Sequence, residues 1–199
     1  MAPLHVRCSR RIVLKDFVEA DRAAFVRYQS DPRYLALYDY ADEPPRAAAL
    51  FDLFVTWQSA LPRRRFQLGI FDDNRGELLG CAGLRMDAET AGEAVIGVEL
   101  APFAWGRYRV ALDVVTGLVR FGFDDLGLDR IVGDTASGNT RVAKLARWLG
   151  ASLADARPGP GWMARRGWHE VDWVLTARDW RARRAPTTIR RHADADRGA

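Results

Sequence analysis

The stretch that decides the fold is "EAVIGVELAPFAWGRYRVALDVV", residues 93–115. Its first half alternates between two faces, which predicts a β-strand with Glu99 on the face opposite Val98 and Leu100. Its second half is apolar at helical spacing, which predicts a helix after a tight turn. The turn has a single glycine, Gly106, whereas phosphate-binding turns of this kind are glycine-rich. The stretch therefore predicts a strand, a turn of unusual composition and a helix.

Strands and helices alternate along the rest of the chain. In the first half, the predicted elements are a strand within 9–21, helices within 19–32 and 43–62, and a β-hairpin within 64–86 with its turn at 73–76. In the second half they are a helix at 111–126, a strand at 128–136, a helix at 139–150 and a long last strand at 167–180. The last strand is expected to pair with an earlier partner across 156–161. This order predicts a single α/β domain of residues 1–180 with a mixed sheet.

Composition restricts the class of protein. The chain has 199 residues, of which 48% are hydrophobic and 28% charged, as expected of a soluble globular domain. It contains no apolar run long enough for a membrane span and no secretory signal, so we expect a cytoplasmic protein. Cys8 and Cys81 are isolated in sequence and only three histidines are present, so no metal site is expected.

Much of the net charge of +4 comes from residues 181–199. This basic tail has few apolar residues, and we expect it to be disordered. Only the tail favours contact with nucleic acid or an anionic surface, so we do not expect nucleic acid as a partner.

Six features in order resemble the GNAT acyltransferase superfamily, and are most similar to its branch of ribosomal-protein alanine N-acetyltransferases. The resemblance spans about residues 11–180. It rests on "IVLKDFVEAD" (12–21), "GELLGCAGL" (76–84), "IGVELAPFAWG" (96–106), "FGFDDLGLDRI" (121–131), Asn139 at its spacing from Leu149-Gly150, and "VLTARDW" (174–180).

The resemblance implies a mostly antiparallel mixed sheet with helices on both faces, splayed between its fourth and fifth strands. The pantetheine arm of acetyl-CoA, or another acyl-CoA, lies in that gap and pairs with backbone groups of the fourth strand. The pyrophosphate binds the loop before the next helix, and an asparagine holds the pantetheine amides. The implied co-substrate-binding residues are Val98, Leu100, Gly106, Arg107, Tyr108, Arg109, Val110, Ala111 and Asn139.

The loop departs from the family pattern of Gln or Arg, two residues, Gly, one residue, then Gly or Ala. Aligned backward from the helix, Ala111 takes the last small position and Arg109 replaces the middle glycine. Aligned forward from Trp105, Tyr108 replaces that glycine and Val110 takes the small position. In either register, the middle glycine is replaced by a residue with a side chain. That side chain could block the pyrophosphate, or an arginine of the loop could bind it.

The family's acid is also absent, because Val142 stands where the branch often has a serine. Three residues are candidates for the base that deprotonates the acceptor amine. Glu99 is the first, with a sheet-face carboxylate paired with an arginine as its alternative role. Asp134 and His169 are the second and third, and their alternatives are a solvent-facing strand end and a structural histidine.

Two functions remain open from the sequence. The first is an acyl-CoA-dependent N-acyltransferase, by direct attack of a primary amine of a small molecule or a protein N-terminus. The second is a divergent relative that takes its acyl group from a carrier protein or an aminoacyl-tRNA, or that only binds. Trp162 and Trp168 lie in a loop expected to overhang the acceptor, either as hairpin packing or as an apolar wall. A homodimer is common in the branch.

Overall fold

The computed structural model describes residues 3–38 and 47–184. The strands are β1 (His5–Arg7), β2 (Ile12–Lys15), β3 (Arg65–Asp72), β4 (Glu77–Arg85), β5 (Glu93–Leu100), β6 (Arg130–Ala136), β7 (Ser152–Arg157) and β8 (Glu170–Thr176). The helices are α1 (Arg22–Gln29), α2 (Pro32–Tyr38), α3 (Ala47–Gln58), α4 (Tyr108–Arg120), α5 (Thr140–Leu149), α6 (Gly161–Ala164) and α7 (Ala177–Arg184).

All the strands form one sheet in the order β1-β2-β3-β4-β5-β6-β8-β7. Every neighbouring pair is antiparallel except β5 and β6, which run parallel. The prediction of a mixed, mostly antiparallel α/β sheet is therefore confirmed. The edge strand β1 was not predicted, because it is a three-residue segment with a single buried residue, Val6.

The sheet opens in the middle. Pairing between β5 and β6 covers only Glu93–Val95 against Arg130–Val132. Beyond those residues the strands part, so residues 96–100 and 133–136 have no partner across the gap. This gap is called the splay below, and it confirms the predicted opening.

Helices cover both faces, as predicted. On one face, α4, α5 and α7 cover a core that includes Leu14, Leu84, Leu118 and Ile131. On the other face, α1 and α3 cover an aromatic core in which Phe17 contacts Phe25, Phe51 and Phe54. None of the helices in the described residues is both long and apolar enough to cross a membrane.

Several element boundaries differ from the prediction, and hydrogen bonds explain two of them. Helix α4 begins at Tyr108 rather than 111, because the carbonyl of Arg107 already accepts the N–H groups of Val110 and Ala111. The last strand ends at Thr176 rather than 180, because Thr176 accepts the N–H of Asp179 and donates to its carboxylate, and so starts a new helix.

The predicted domain boundary at 180 falls inside α7. Trp180 is buried, Arg183 donates to the carbonyl of Arg147, and Arg184 pairs with Asp124 at 3.6 Å. Residues 181–184 therefore belong to the folded domain, because their arginines bind it. The rest of the predicted disordered tail, 185–199, lies outside the described residues.

Asp72 ties β2 to the β3–β4 turn and should give stability a pH dependence. Its buried carboxylate accepts the Arg11 Nε at 2.8 Å and the Asn74 N–H at 3.2 Å. The hydrogen bond from Arg11 lowers the pKa of Asp72 below its ordinary value. A lowered pKa stabilises the fold above the unfolded value of about 3.9, and this contribution is lost as the pH falls further.

We therefore expect Asp72→Asn to lower the urea midpoint at pH 7 and to cost much less at pH 3. Asp52→Asn is the control, because Asp52 is an exposed carboxylate that also pairs with an arginine. An equal loss for Asp72→Asn at both pH values would contradict the linkage.

Candidate active site

The wall of the splay formed by β5 offers free backbone groups. The N–H of Ala101 points to β4, where it donates to Leu79 at 2.8 Å. Since backbone direction alternates along a strand, the groups of Val98 and Leu100 point into the splay. The Leu100 carbonyl already accepts the Trp105 indole N–H at 2.7 Å. Val98 therefore has a backbone N–H and a carbonyl that both remain open to an extended ligand.

The loop between β5 and α4 ends where the helix begins. Gly106 has φ of +81°, a conformation that suits glycine. Arg107 is the N-cap residue of α4, and its side chain makes no capping bond. The N–H of Arg109 has no acceptor within the described residues, as is usual in a first helical turn. This turn is an uncapped helix start, which favours an anion.

The two arginines of the loop lie on one side of α4. Arg107 and Arg109 line a cavity of about 320 Å³ together with residues of β2, of β4 and of the β3–β4 turn. The side chain of Arg109 is 86% exposed and lies 3.5 Å from Asp113. Neither β6 nor α5 contributes to this lining. Whether Arg109 binds or blocks the pyrophosphate stays a prediction.

Glu99 lies on the opposite face of β5, as predicted, in a cluster of neutral donors. Its Oε1 accepts the Tyr28 hydroxyl at 2.7 Å and the amide of Gln29, and its Oε2 accepts the Tyr34 hydroxyl at 2.6 Å. The Cys81 thiol approaches Oε1 at 3.6 Å. Within the described chain no arginine pairs with this carboxylate. The alternative role expected for Glu99 placed an arginine beside it, and that partner was wrong.

The donors around Glu99 keep their protons. Burial, then the neighbouring Cys81 and Glu99, raise the pKa of Tyr28 well above its ordinary value. Burial and Glu99 likewise raise the pKa of the Cys81 thiol. Both groups therefore donate to the carboxylate. Each carboxylate oxygen has two acceptor positions, and Oε2 receives a single described donor, so one position remains for a ligand N–H.

Asp134 lies on the same face as Glu99, across the splay. It is exposed and stands opposite Asp172 of β8. Arg157 bonds Asp172 and lies 3.1 Å from Glu170. Asp134 contributes to raising the pKa of Arg157, after the larger effects of Asp172 and Glu170. This face of the splay thus carries a carboxylate on each wall.

His169 and Asn139 lie just beyond the C-terminal end of β6, next to the splayed residues 133–136. The imidazole of His169 is exposed, and its backbone binds Ser137 in both directions. The Asn139 Oδ1 caps α5 by accepting the Val142 N–H at 3.2 Å, so half of its amide has a structural role. The role of Asn139 toward pantetheine stays a prediction. The role of His169 as a base also stays a prediction.

The tryptophan loop folds back over this end. Trp162 and Trp168 meet edge to face at 6.5 Å between ring centroids, and the Arg166 guanidinium lies over both rings. A Cβ at Gly138 would come within 2.1 Å of Trp168, so this ring rests on the backbone beside Asn139. The loop has both packing and an exposed aromatic edge.

Comparison with known proteins agrees with this geometry. A family model described as an acetyltransferase (GNAT) domain matches residues 11–152. The chain belongs to the GNAT acetyltransferase family. An uncharacterized N-acetyltransferase of Bacillus subtilis (strain 168), YoaA, is 29% identical over 70% of this chain and 78% of its own length. The uncharacterized N-acetyltransferase p20 of Bacillus licheniformis is 26% identical over 71% of this chain and 79% of its own length.

A solved structure shares the fold of this GNAT chain. An acetyltransferase (GNAT family) from Bacillus anthracis superposes with a TM-score of 0.68 at 15% identity, and covers 88% of this chain and 99% of its own. At that identity the match concerns the fold alone.

Sequence reasoning missed the donors to Glu99 in this GNAT site. Tyr28 and Gln29 end α1, and Tyr34 lies in the first turn of α2. A glutamine only 2% exposed at the end of an amphipathic helix must find a polar partner. That rule was the available signal, but it does not say which partner.

Proposed function

We propose that the protein is an acyl-CoA-dependent N-acetyltransferase that acts on a protonated primary amine. The observation that carries the proposal is that β5 serves two sides of the splay at adjacent residues. Val98 offers backbone hydrogen bonds to an extended arm, and Glu99 offers an acceptor position on the other face. A thioester in the splay and an amine at Glu99 would therefore meet at the same strand.

The chemistry requires one proton to leave the ammonium before attack. Glu99 Oε2 would hold the ammonium and receive this proton, directly or through a water molecule. The free amine then attacks the thioester carbonyl, a C–N bond forms, and the C–S bond breaks. The thiolate takes up a proton, and the net reaction of ammonium and thioester gives amide, thiol and one proton.

No acid of this chain is needed for the last step. A thiolate is a good leaving group near neutral pH, since thiols have pKa values of about 8.5, and water can protonate it. Valine at position 142 supplies no acid, which is compatible with this route.

The acceptor is expected to carry positive charge. Glu99, Asp134 and Asp172 lie on the same face of the sheet, and Arg157 compensates only part of their charge. Candidate acceptors are small molecules with primary amines and protein N-termini, and the tryptophan loop would contact the group that carries the amine.

Calorimetric titration with acetyl-CoA and CoA tests the donor, and thiol release against a panel of amines tests the acceptor. The panel contains a polyamine, an aminoglycoside and peptides with free or blocked N-termini. We expect submillimolar binding of both CoA species, and thiol release that one class of amine accelerates at least tenfold over hydrolysis. No binding at millimolar acetyl-CoA would exclude this function and favour an acyl-carrier or aminoacyl-tRNA donor, or a binding role.

A further inference from the structure

The cavity beside α4 has a composition that the proposed function does not use. It measures about 320 Å³, at the lower end of the range for small-ligand pockets. It is called the outer pocket below. The arginines that line it come from the β1–β2 turn, the β3–β4 turn and the start of α4, and are Arg11, Arg75, Arg107 and Arg109.

The outer pocket has uncompensated positive charge. Its two carboxylates are Asp72, which pairs with Arg11 at 2.7 Å, and Asp113, which lies 3.5 Å from Arg109. Arg75 and Arg107 make no salt bridge among the described residues, although Arg75 lies near enough to Asp72 to contribute to lowering its pKa after Arg11, and Arg107 lies over the Phe103 ring at 6.0 Å. Two arginines without a salt bridge that converge on one cavity favour a doubly charged anion, and arginine suits phosphate oxygens.

The position of the outer pocket relates it to the splay. Arg107 both precedes α4 and lines the pocket, so the pocket begins where the loop from β5 ends. A pantetheine arm that leaves the splay past Leu100 reaches the start of α4 first, where its pyrophosphate can use helix N–H groups. The outer pocket adjoins that point through Arg107, Arg109 and Val110 and extends to the β3–β4 turn, where a further phosphate would have room.

We propose that the outer pocket binds the 3′-phosphate of acyl-CoA, with Arg75 and Arg107 as its main ligands. The proposal rests on the proposed function, because it takes the pyrophosphate to lie at α4. A phosphate monoester carries close to two negative charges at neutral pH, which matches the two unpaired arginines. The pocket would therefore select CoA against its 3′-dephospho form, and it directs the adenosine toward β2–β4 rather than toward α5.

The test compares the affinities of CoA and 3′-dephospho-CoA by calorimetry, in wild type, Arg75→Ala and Arg178→Ala. Arg75 lies in an exposed turn and has no ion pair to lose, and Arg178 is an exposed arginine of α7 outside the pocket. We expect wild type to prefer CoA by about tenfold or more, as for hydrogen bonds to a charged group. Arg75→Ala should reduce that preference by roughly fivefold, through weaker CoA binding only, and Arg178→Ala should leave it unchanged.

Other results separate this inference from the proposed function. Equal affinity of wild type for the two forms, or equal weakening of both by Arg75→Ala, would overturn the inference while acyl-CoA use stands. The second of those results would place the pyrophosphate in the outer pocket. Adenosine 3′,5′-bisphosphate and AMP test the pocket without the arm. If adenosine 3′,5′-bisphosphate binds, AMP does not, and Arg75→Ala abolishes the binding, the outer pocket is supported even if CoA itself does not bind. No binding by any probe would reject both.

Discussion

Glu99→Gln should reduce kcat by roughly 10²- to 10⁴-fold, the usual contribution of a positioned general base. The amide retains the size of the side chain and its single oxygen can still accept from one of the two tyrosines, Tyr28 or Tyr34, but it cannot take a proton. Steady-state thiol release across pH 6 to 9 measures the effect, together with the urea midpoint as a check on folding.

Glu93→Gln is the matched control. Glu93 lies on the same strand and the same face as Glu99, but at the paired end of β5, where it binds Arg130 at 2.9 Å. We expect its kcat to stay within about twofold, as surface pairs contribute little. If Glu99→Gln retains kcat and only raises KM, the carboxylate holds the ammonium and another group takes the proton. If neither constant changes, Glu99 has no part in the reaction.

Val98→Pro should weaken acetyl-CoA binding by on the order of tenfold to a hundredfold, the cost of leaving a buried polar group unpaired. Proline removes the N–H that points into the splay and leaves the bonds to β4 in place. A strand tolerates proline where its N–H faces an open edge, and Gly97 before it is already extended. Calorimetry with acetyl-CoA measures the change.

Val98→Ala separates the backbone from the side chain. It shortens the side chain toward the α4 face but keeps the N–H, so we expect a much smaller loss of affinity. Comparable affinities of the proline and alanine variants would mean that the arm does not pair with β5. A thermal melt of each variant shows whether the sheet is intact.

The fold was largely predictable, because its elements have strong local signals. The hairpin at 64–86 alternates around a turn with Asn74 and Gly76, and β5 and α4 differ clearly in periodicity. The last strand was extended too far, since "TARD" starts a helix that the Thr176 hydroxyl caps by accepting the Asp179 N–H, and its apolar neighbours favour a strand. The splay came only from the resemblance, because the parting of two strands has no local pattern.

The candidate site was predictable only in part, because side-chain partners depend on tertiary packing. Alternation placed Glu99 on the correct face, but its donors come from α1 and α2, 65–71 residues earlier in the chain. The direction of Arg109 was equally open, since it depends on the rotamer chosen beside Asp113. Partners distant in sequence leave no spacing from which they can be derived.

The alternation of β5 restricts how this protein can diverge. Val98 and Glu99 are neighbours, and in the proposed function they bind the donor and the acceptor, Val98 through an edge of the strand and Glu99 through one of its faces. Inserting or deleting a single residue in β5 would exchange its faces. Glu99 would then move away from Tyr28 and Tyr34, and the backbone groups that are now open to the splay would turn toward β4. Both binding functions would be lost in one event. Acceptor preference can therefore change here by point substitution, whereas the length of this strand is fixed for as long as the enzyme works.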